Sequence, residues 1–385
     1  MRYSHRLPED LSASSFAQRL AARRASGSPL LDLTIGNPTA AGLPTPRLLA
    51  AADEVEAVYE PDALGSLSAR RAVAEYFAQR GAQVRPQHIL LTASTSEAYS
   101  HLFRLLADPG DNFLVPRPSY PLFEPLAALD AVRLAPYPLR LDSAGHWRPD
   151  LDALGAAIDE RTRGVLLVHP NNPTGSLWRR AEWSVLEELA AERGIAVLAD
   201  EVFGDFVLGA AELPTLAGAS RALTFVLGGL SKTCGAPHAK LAWTVVSGAE
   251  PAVASAMERL AWIGDVYLSV SAAAQAALPR LLGERHTYLA ATRARLLVNC
   301  EALAAALQES DGLEALLVEA GWTAMVRLPS GADEERTAVR LLEAGVLVHP
   351  GYFFDAPQEG FLAVSLLTRP KTFAEGARVL AALAS

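Results

Sequence analysis

Only two cysteines, Cys234 and Cys300, occur among 385 residues, which excludes a disulfide framework and a cysteine-rich metal site. The chain carries no basic run: charges of both signs are mixed along it, and the formal net charge is −9. Nucleic acid is therefore not an expected partner. No apolar run is long enough to span a bilayer, and the N-terminus, Met1-Arg2-Tyr3-Ser4-His5-Arg6, has no apolar signal core. These absences lead us to expect a soluble cytoplasmic protein with no membrane partner. The eight histidines are scattered without a pair at ligand spacing, so no metal site is expected. No strand-like run is followed by Gly-x-Gly-x-x-Gly, which removes the dinucleotide fingerprint. Repeats and low-complexity linkers are also missing.

What is present is an apolar half, ample for a large core and for two domains. Short apolar runs at 89–92, 112–115, 131–134, 164–169, 195–199, 222–227 and 241–247 end in turn-forming residues. Helix-like segments at 68–80, 97–107, 122–129 and 180–193 lie between several of them. Strands apolar throughout and separated by helices predict an α/β fold, with a mainly parallel sheet buried on both faces. The last third changes character. A long Ala/Leu-rich helix over 285–308 precedes strand-like 320–328, 346–349 and 361–367, the helix 333–343 and a final helix. We expect an N-terminal segment (1–45) packing with the small domain or the cleft, a large domain (46–280) and a smaller α+β domain (281–385).

In an open parallel sheet, ligands bind beyond the carboxyl ends of the strands, and the residues predicted there are chemically distinctive. Ser94, Thr95 and Ser96 open a helix after the first run, where free N–H groups and hydroxyls make either a phosphate cup or an ordinary cap. Pro116-Arg117-Pro118-Ser119-Tyr120-Pro121 is either a rigid surface turn or a mount for a ring facing a planar ligand. Pro170-Asn171-Asn172-Pro173-Thr174-Gly175 restricts the backbone enough to fix an Asn amide. Asp200 ends another strand; a buried carboxylate needs a partner, which is either a protonated heteroaromatic nitrogen or a nearby cationic side chain. Lys232, in Gly229-Leu230-Ser231-Lys232-Thr233, stands where a buried strand meets a small-residue turn. Such a setting lowers an amine's pKa and makes it a nucleophile toward carbonyls, although a solvated loop lysine has the same local sequence.

Taken together, Asn-Asn-Pro-Thr-Gly, Asp-Glu-Val-Phe and Ser-Lys-x-x-Gly, in this order and at these intervals, resemble the class I/II aminotransferases. These are fold-type I enzymes dependent on pyridoxal 5′-phosphate, and the resemblance runs from about Asp32 to the C-terminus. It implies that Lys232 forms a Schiff base with the cofactor and then shuttles a proton. It further implies that Asp200 pairs with the ring nitrogen, that Asn172 bonds the ring oxygen and that Tyr120 stacks on the ring. Ser94, Thr95, Ser96 and Ser231 would hold the phosphate, with Tyr59 reaching the phosphate of the other subunit in a homodimer with shared sites. Gly36 and Asn37 would border the substrate carboxylate.

Four departures from the family pattern stand out. Lys240 occupies a phosphate-binding Arg position and supplies a point charge without the guanidinium fork. Gly229 stands where a phosphate-binding Ser is common, and Phe203 replaces the Tyr that donates to the ring oxygen. Ala363 stands where an Arg clamps the substrate carboxylate; Arg369 and Arg327 are the nearest candidates to replace it, or are surface residues. Phe203, Trp243, Tyr352, Phe353 and Phe354 either line an apolar pocket or pack in the core. The leading expectation is transfer of an amino group from an amino acid to a keto-acid acceptor. Alternatives are a substrate whose carboxylate is masked or tethered, a lyase or decarboxylase outcome on the same cofactor, and a non-catalytic relative. Joint presence of Lys232, Asp200 and Asn172 argues against the last.

Overall fold

The computed structural model describes residues 3–46, 60–209, 213–308, 310, 312–356 and 360–384. Helix α1 (Ser15–Ala25), strand β1 (Leu31–Asp32) and helix α2 (Leu67–Gln79) come first. Strand β2 (Ile89–Thr92), helix α3 (Thr95–Leu106), strand β3 (Asn112–Arg117) and helix α4 (Phe123–Leu129) begin the alternation. It continues through strands β4 (Arg133–Leu141) and β5 (Trp147–Pro149), helix α5 (Leu151–Ala157) and strand β6 (Thr162–Val168). Helix α6 (Arg180–Arg193), strands β7 (Ala196–Asp200) and β8 (Thr224–Gly229), the short helix α7 (Leu230–Thr233) and strand β9 (Ala242–Ser247) complete it.

These strands form one eight-stranded sheet in the order β2-β9-β8-β7-β6-β3-β4-β5. The run β8-β7-β6-β3-β4 is parallel, while β9 and β5 pair antiparallel with their neighbours. The central strands β6, β7 and β8 are buried almost throughout, because helices cover both faces and two apolar clusters fill the space. Register aligns Val168, Asp200 and Leu227 at one level, so the chain leaves β6, β7 and β8 on the same edge. Gly194 ends α6 at φ +64, a left-handed conformation that a side chain would strain.

Helix α8 (Glu250–Tyr267) and the long helix α9 (Ala272–Leu307) follow. Sequence reading starts the long helix at 285; it begins at Ala272 instead, about two turns before Pro279, and position 280 lies inside it. A proline lacks the donor that a helix interior needs, yet burial of Ala274, Ala277, Leu278, Leu281 and Leu282 on this stretch keeps it helical. The remainder comprises strands β10 (Glu314–Ala315) and β11 (Thr323–Arg327), helix α10 (Glu334–Glu343) and strands β12 (Val346–Leu347) and β13 (His349–Pro350). Strand β14 (Phe361–Ser365) and helix α11 (Pro370–Ala384) close the chain. A four-stranded antiparallel sheet, β10-β11-β14-β13, packs on a third apolar cluster.

The N-terminal stretch is laced to this small sheet. β1 pairs parallel with β12, and the Leu33 carbonyl accepts from the Ser365 amide at 2.6 Å. Residues 33–36 thereby run along the gap between the two sheets, within reach of Lys232.

Candidate active site

A cavity of about 530 Å³ opens between the carboxyl edge of the large sheet and the face of the small one. Among the residues singled out from sequence, Gly36, Ser94, Thr95, Ser96, Tyr120, Asn172, Asp200, Phe203, Gly229, Ser231 and Lys232 line it. They come from five strand ends and the N-terminal stretch, which explains why their sequence separation is so large.

Asp200, the last residue of β7, is buried; Tyr99 donates to its Oδ2 at 3.0 Å and the Val202 amide to its Oδ1 at 3.0 Å. It makes no ion pair among the described residues. Burial pushes its pKa up to about 6 against those two bonds and the nearby Lys232 charge. The adjacent Glu201 points the other way and is fully met: Arg80 Nη2 lies 2.8 Å from its Oε2, and Thr215 Oγ1 and the Leu216 amide also donate to it. Of two neighbouring acids, one has its cation within the protein and the other faces the cavity without one.

Lys232 sits in α7, immediately after β8, with its Nζ 3.4 Å from the Gly36 carbonyl. The Trp322 ring centroid lies 4.9 Å from the same Nζ and the Phe203 centroid 5.8 Å away; these two rings meet edge to face at 5.3 Å. Loss of hydration lowers the amine's pKa, partly offset by Asp200. The amine is therefore more readily neutral, and nucleophilic, than a solvated lysine.

Ser94 caps α3: its Oγ accepts from the Glu97 amide at 3.1 Å, while Glu97 Oε2 accepts from the Ala93 amide. This reciprocal cap leaves the first-turn amides of Thr95 and Ser96 facing the cavity end of the helix. Tyr120 packs edge to face on Phe123 at 5.7 Å, and the Asp200 charge adds to burial in raising its pKa. Of the two consecutive asparagines, Asn171 is spent on structure, its Nδ2 donating to Thr174 Oγ1 at 2.9 Å. Asn172 lines the cavity, and its Oδ1 accepts from Thr323 Oγ1 at 3.2 Å.

Asn37, Lys240, Arg369, Arg327, Trp243 and Tyr352, all singled out from sequence, are not brought to the cavity wall. Asn37 is exposed and turned into its own turn, where its Oδ1 accepts from the Thr39 amide and hydroxyl. Lys240 stands at φ +51 after a turn and faces solvent. Arg369 is exposed at the start of α11, its guanidinium lying where Gly42 has no side chain: a β-carbon there would be 3.0 Å from Nη2. Arg327, at the end of β11, pairs with Glu314 of the edge strand β10 at 3.2 Å. Trp243 is fully buried against Tyr76, and Tyr352 is exposed, whereas Phe353 and Phe354 do line the cavity. Tyr59 lies outside the described residues. Sequence reading missed Thr34, Trp322, Thr323, His349 and Ser365, all of which line the cavity. No local motif marks them, because the small sheet and the N-terminal stretch deliver them from far along the chain.

Among the described residues there is no cluster of His, Cys, Asp and Glu that could hold a metal, and no helix long and apolar enough to cross a membrane. Residues 28–380 match the family described as "Aminotransferase class I and II". The chain is 30% identical over 268 residues to the glutamate-pyruvate aminotransferase AlaA of Escherichia coli K12, covering 67% of this chain and 64% of that protein's length. It is 29% identical to the arginine–pyruvate transaminase AruH of Pseudomonas aeruginosa, covering 100% of this chain and 98% of that one. Among solved structures, an alanine aminotransferase from Pyrococcus furiosus superposes with a TM-score of 0.90 at 24% identity, covering 99% of both chains.

Proposed function

The chain belongs to the class I and II aminotransferase family, and from that premise we propose that it moves an amino group from an amino acid to a keto acid, with pyridoxal 5′-phosphate held around Lys232. The observation that carries this reading is the pairing, in one cavity, of a desolvated lysine with a buried carboxylate that has no cation of its own. The donor set fits the cofactor: an anion site at a helix N-terminus, an acid for a ring nitrogen and an amine for a carbonyl carbon. Bound there, the cofactor supplies an electron-withdrawing ring and a carbon that takes up and releases an amino group.

Asp200 would pair with a protonated ring nitrogen, a cation at that place offsetting the penalty on its own buried charge. Tyr120 would cover one ring face, and Asn172 would donate to the ring oxygen. The N-terminus of α3, with Ser94, Thr95 and Ser96, together with Ser231 would hold the phosphate. Lys232, whose amine burial shifts toward the neutral form, would act as the base for the substrate Cα proton. Phe203, Trp322, Phe353 and Phe354 exclude water from that transfer and favour an apolar substrate side chain. Phe203 leaves the ring oxygen without the hydroxyl donor usual in the family.

A keto-acid acceptor agrees with relatives named for transfers involving pyruvate. A homodimer and a cytoplasmic location belong to the same proposal. Trp262, Val266 and Leu268 at the end of α8 are 71%, 61% and 73% exposed, an apolar patch suited to a second copy. A second reading, a substrate without a free carboxylate, is favoured by one observation: no arginine lines the cavity among the described residues. The test is to load the protein with cofactor and mix it with single amino acids without an acceptor. Release of the matching keto acid supports the proposal, and release from none of them refutes it.

A further inference from the structure

An amino acid and a keto acid both bring a carboxylate, and this cavity has lost the arginine that holds it in the family. The replacement is visible in the small sheet. β14 lies between β11 and β13, and Ala363 faces Met325 on one side and His349 on the other. Paired residues of an antiparallel ladder point to the same face, as do residues two apart along a strand. His349, Ala363, Thr323 and Ser365 therefore share the face that looks into the cavity, and three of them line it. A long side chain at 363 would emerge between Met325 and His349; alanine leaves that width to the imidazole.

The hydroxyls on this wall already donate within the protein: Thr34 to Asp32 at 2.6 Å, Thr323 to Asn172 at 3.2 Å, and Ser365 to the Ile35 carbonyl. The His349 imidazole makes no hydrogen bond to any described residue. The rings of Phe353 and Phe354 lie beside it, 5.4 and 5.9 Å between centroids, and the Asp32 carboxylate acts on it electrostatically without a hydrogen bond. A half-buried ring nitrogen carrying a proton, unmet by the protein and set on the cavity wall, is a binding group awaiting an acceptor.

We propose that His349 seats the substrate carboxylate in place of the missing guanidinium, making it the residue that selects carboxylate-bearing substrates. This rests on the amino-acid reading above. A single imidazole gives one charge-assisted bond rather than a bidentate fork, so the seat is weaker and more tolerant than an arginine clamp.

The test measures binding by calorimetry on the cofactor-loaded protein, so that it does not depend on turnover. The probes are 3-phenylpropanoate and its uncharged methyl ester, against the wild type, His349→Leu and His349→Gln. The wild type should bind the acid more tightly than the ester. His349→Leu should weaken the acid about 10- to 100-fold and leave the ester unchanged, and His349→Gln, which keeps a donor, should retain most of the acid's affinity. Equal affinity of acid and ester for the wild type would overturn the proposal in favour of a carboxylate-masked substrate. Weakening of both probes together by His349→Leu, no effect on either, or no binding of either probe would also overturn it. Failure of the amino-transfer reading itself shows separately, as release of no keto acid from any amino acid.

Discussion

Replacing Asp200 by Asn should make the cofactor-free protein more stable and the cofactor-loaded one inactive. The carboxylate is buried with two hydrogen bonds and no ion pair, and its pKa is pushed up from 3.8 to about 6. The folded state therefore holds this proton more tightly than the unfolded state does. The resulting penalty is absent below about pH 4, grows as pH rises toward 6 and is constant above that. A displacement of about two pH units corresponds to about 3 kcal/mol at neutral pH. Asparagine is nearly isosteric: its oxygen still accepts from the Val202 amide, and its amide donates to the Tyr99 hydroxyl, which can accept. Urea unfolding of the cofactor-free protein should thus show Asp200→Asn up to about 3 kcal/mol more stable at pH 7.5, with the gain falling to about 1 kcal/mol at pH 4.5. The same variant should hold the cofactor roughly 10²- to 10³-fold more weakly, as expected when a buried charge loses its partner. A stability gain independent of pH, or a variant less stable than wild type at pH 7.5, would refute the reasoning.

Arg80→Leu should act in the opposite sense, since it strips Glu201 of the cation 2.8 Å away and leaves that charge buried. A loss of about 3–5 kcal/mol in urea unfolding is expected, and a loss under 1 kcal/mol would show the pair to be dispensable. Gly228→Ala would set a β-carbon 2.5 Å from Trp243 Nε1, inside a core with no room to yield. A cost of about 1–3 kcal/mol should appear as a lower Tm, and an unchanged Tm would mean that the indole can move.

The central strands were legible because β6, β7 and β8 are buried on both faces and read as unbroken apolar runs. β4 was read only as far as Leu134. Pro136, Pro138 and Arg140 interrupt its pattern, which the fold tolerates because β5 pairs only with residues 139–141 on that side. The site residues contributed by strand ends, from Ser94 to Lys232, were legible because strand-to-helix junctions leave local marks. Side-chain direction was not. The family resemblance implied Lys240 at the phosphate and offered Arg369 for the carboxylate or the surface. Both are exposed, one at a left-handed position and the other in a niche over Gly42, and neither lines the cavity. His349 and Trp322 carried no mark at all, since only the packing of the small sheet against the large one brings them to Lys232.

The central claim, that Lys232 carries amino-group transfer, is tested most directly by following the visible spectrum of the cofactor-loaded protein while single amino acids are added without an acceptor. The account predicts that at least one amino acid converts the cofactor to its amine form with one keto acid released per site, and that Lys232→Ala abolishes both. Conversion at an undiminished rate in Lys232→Ala, or an unchanged spectrum with every amino acid tried, would contradict it.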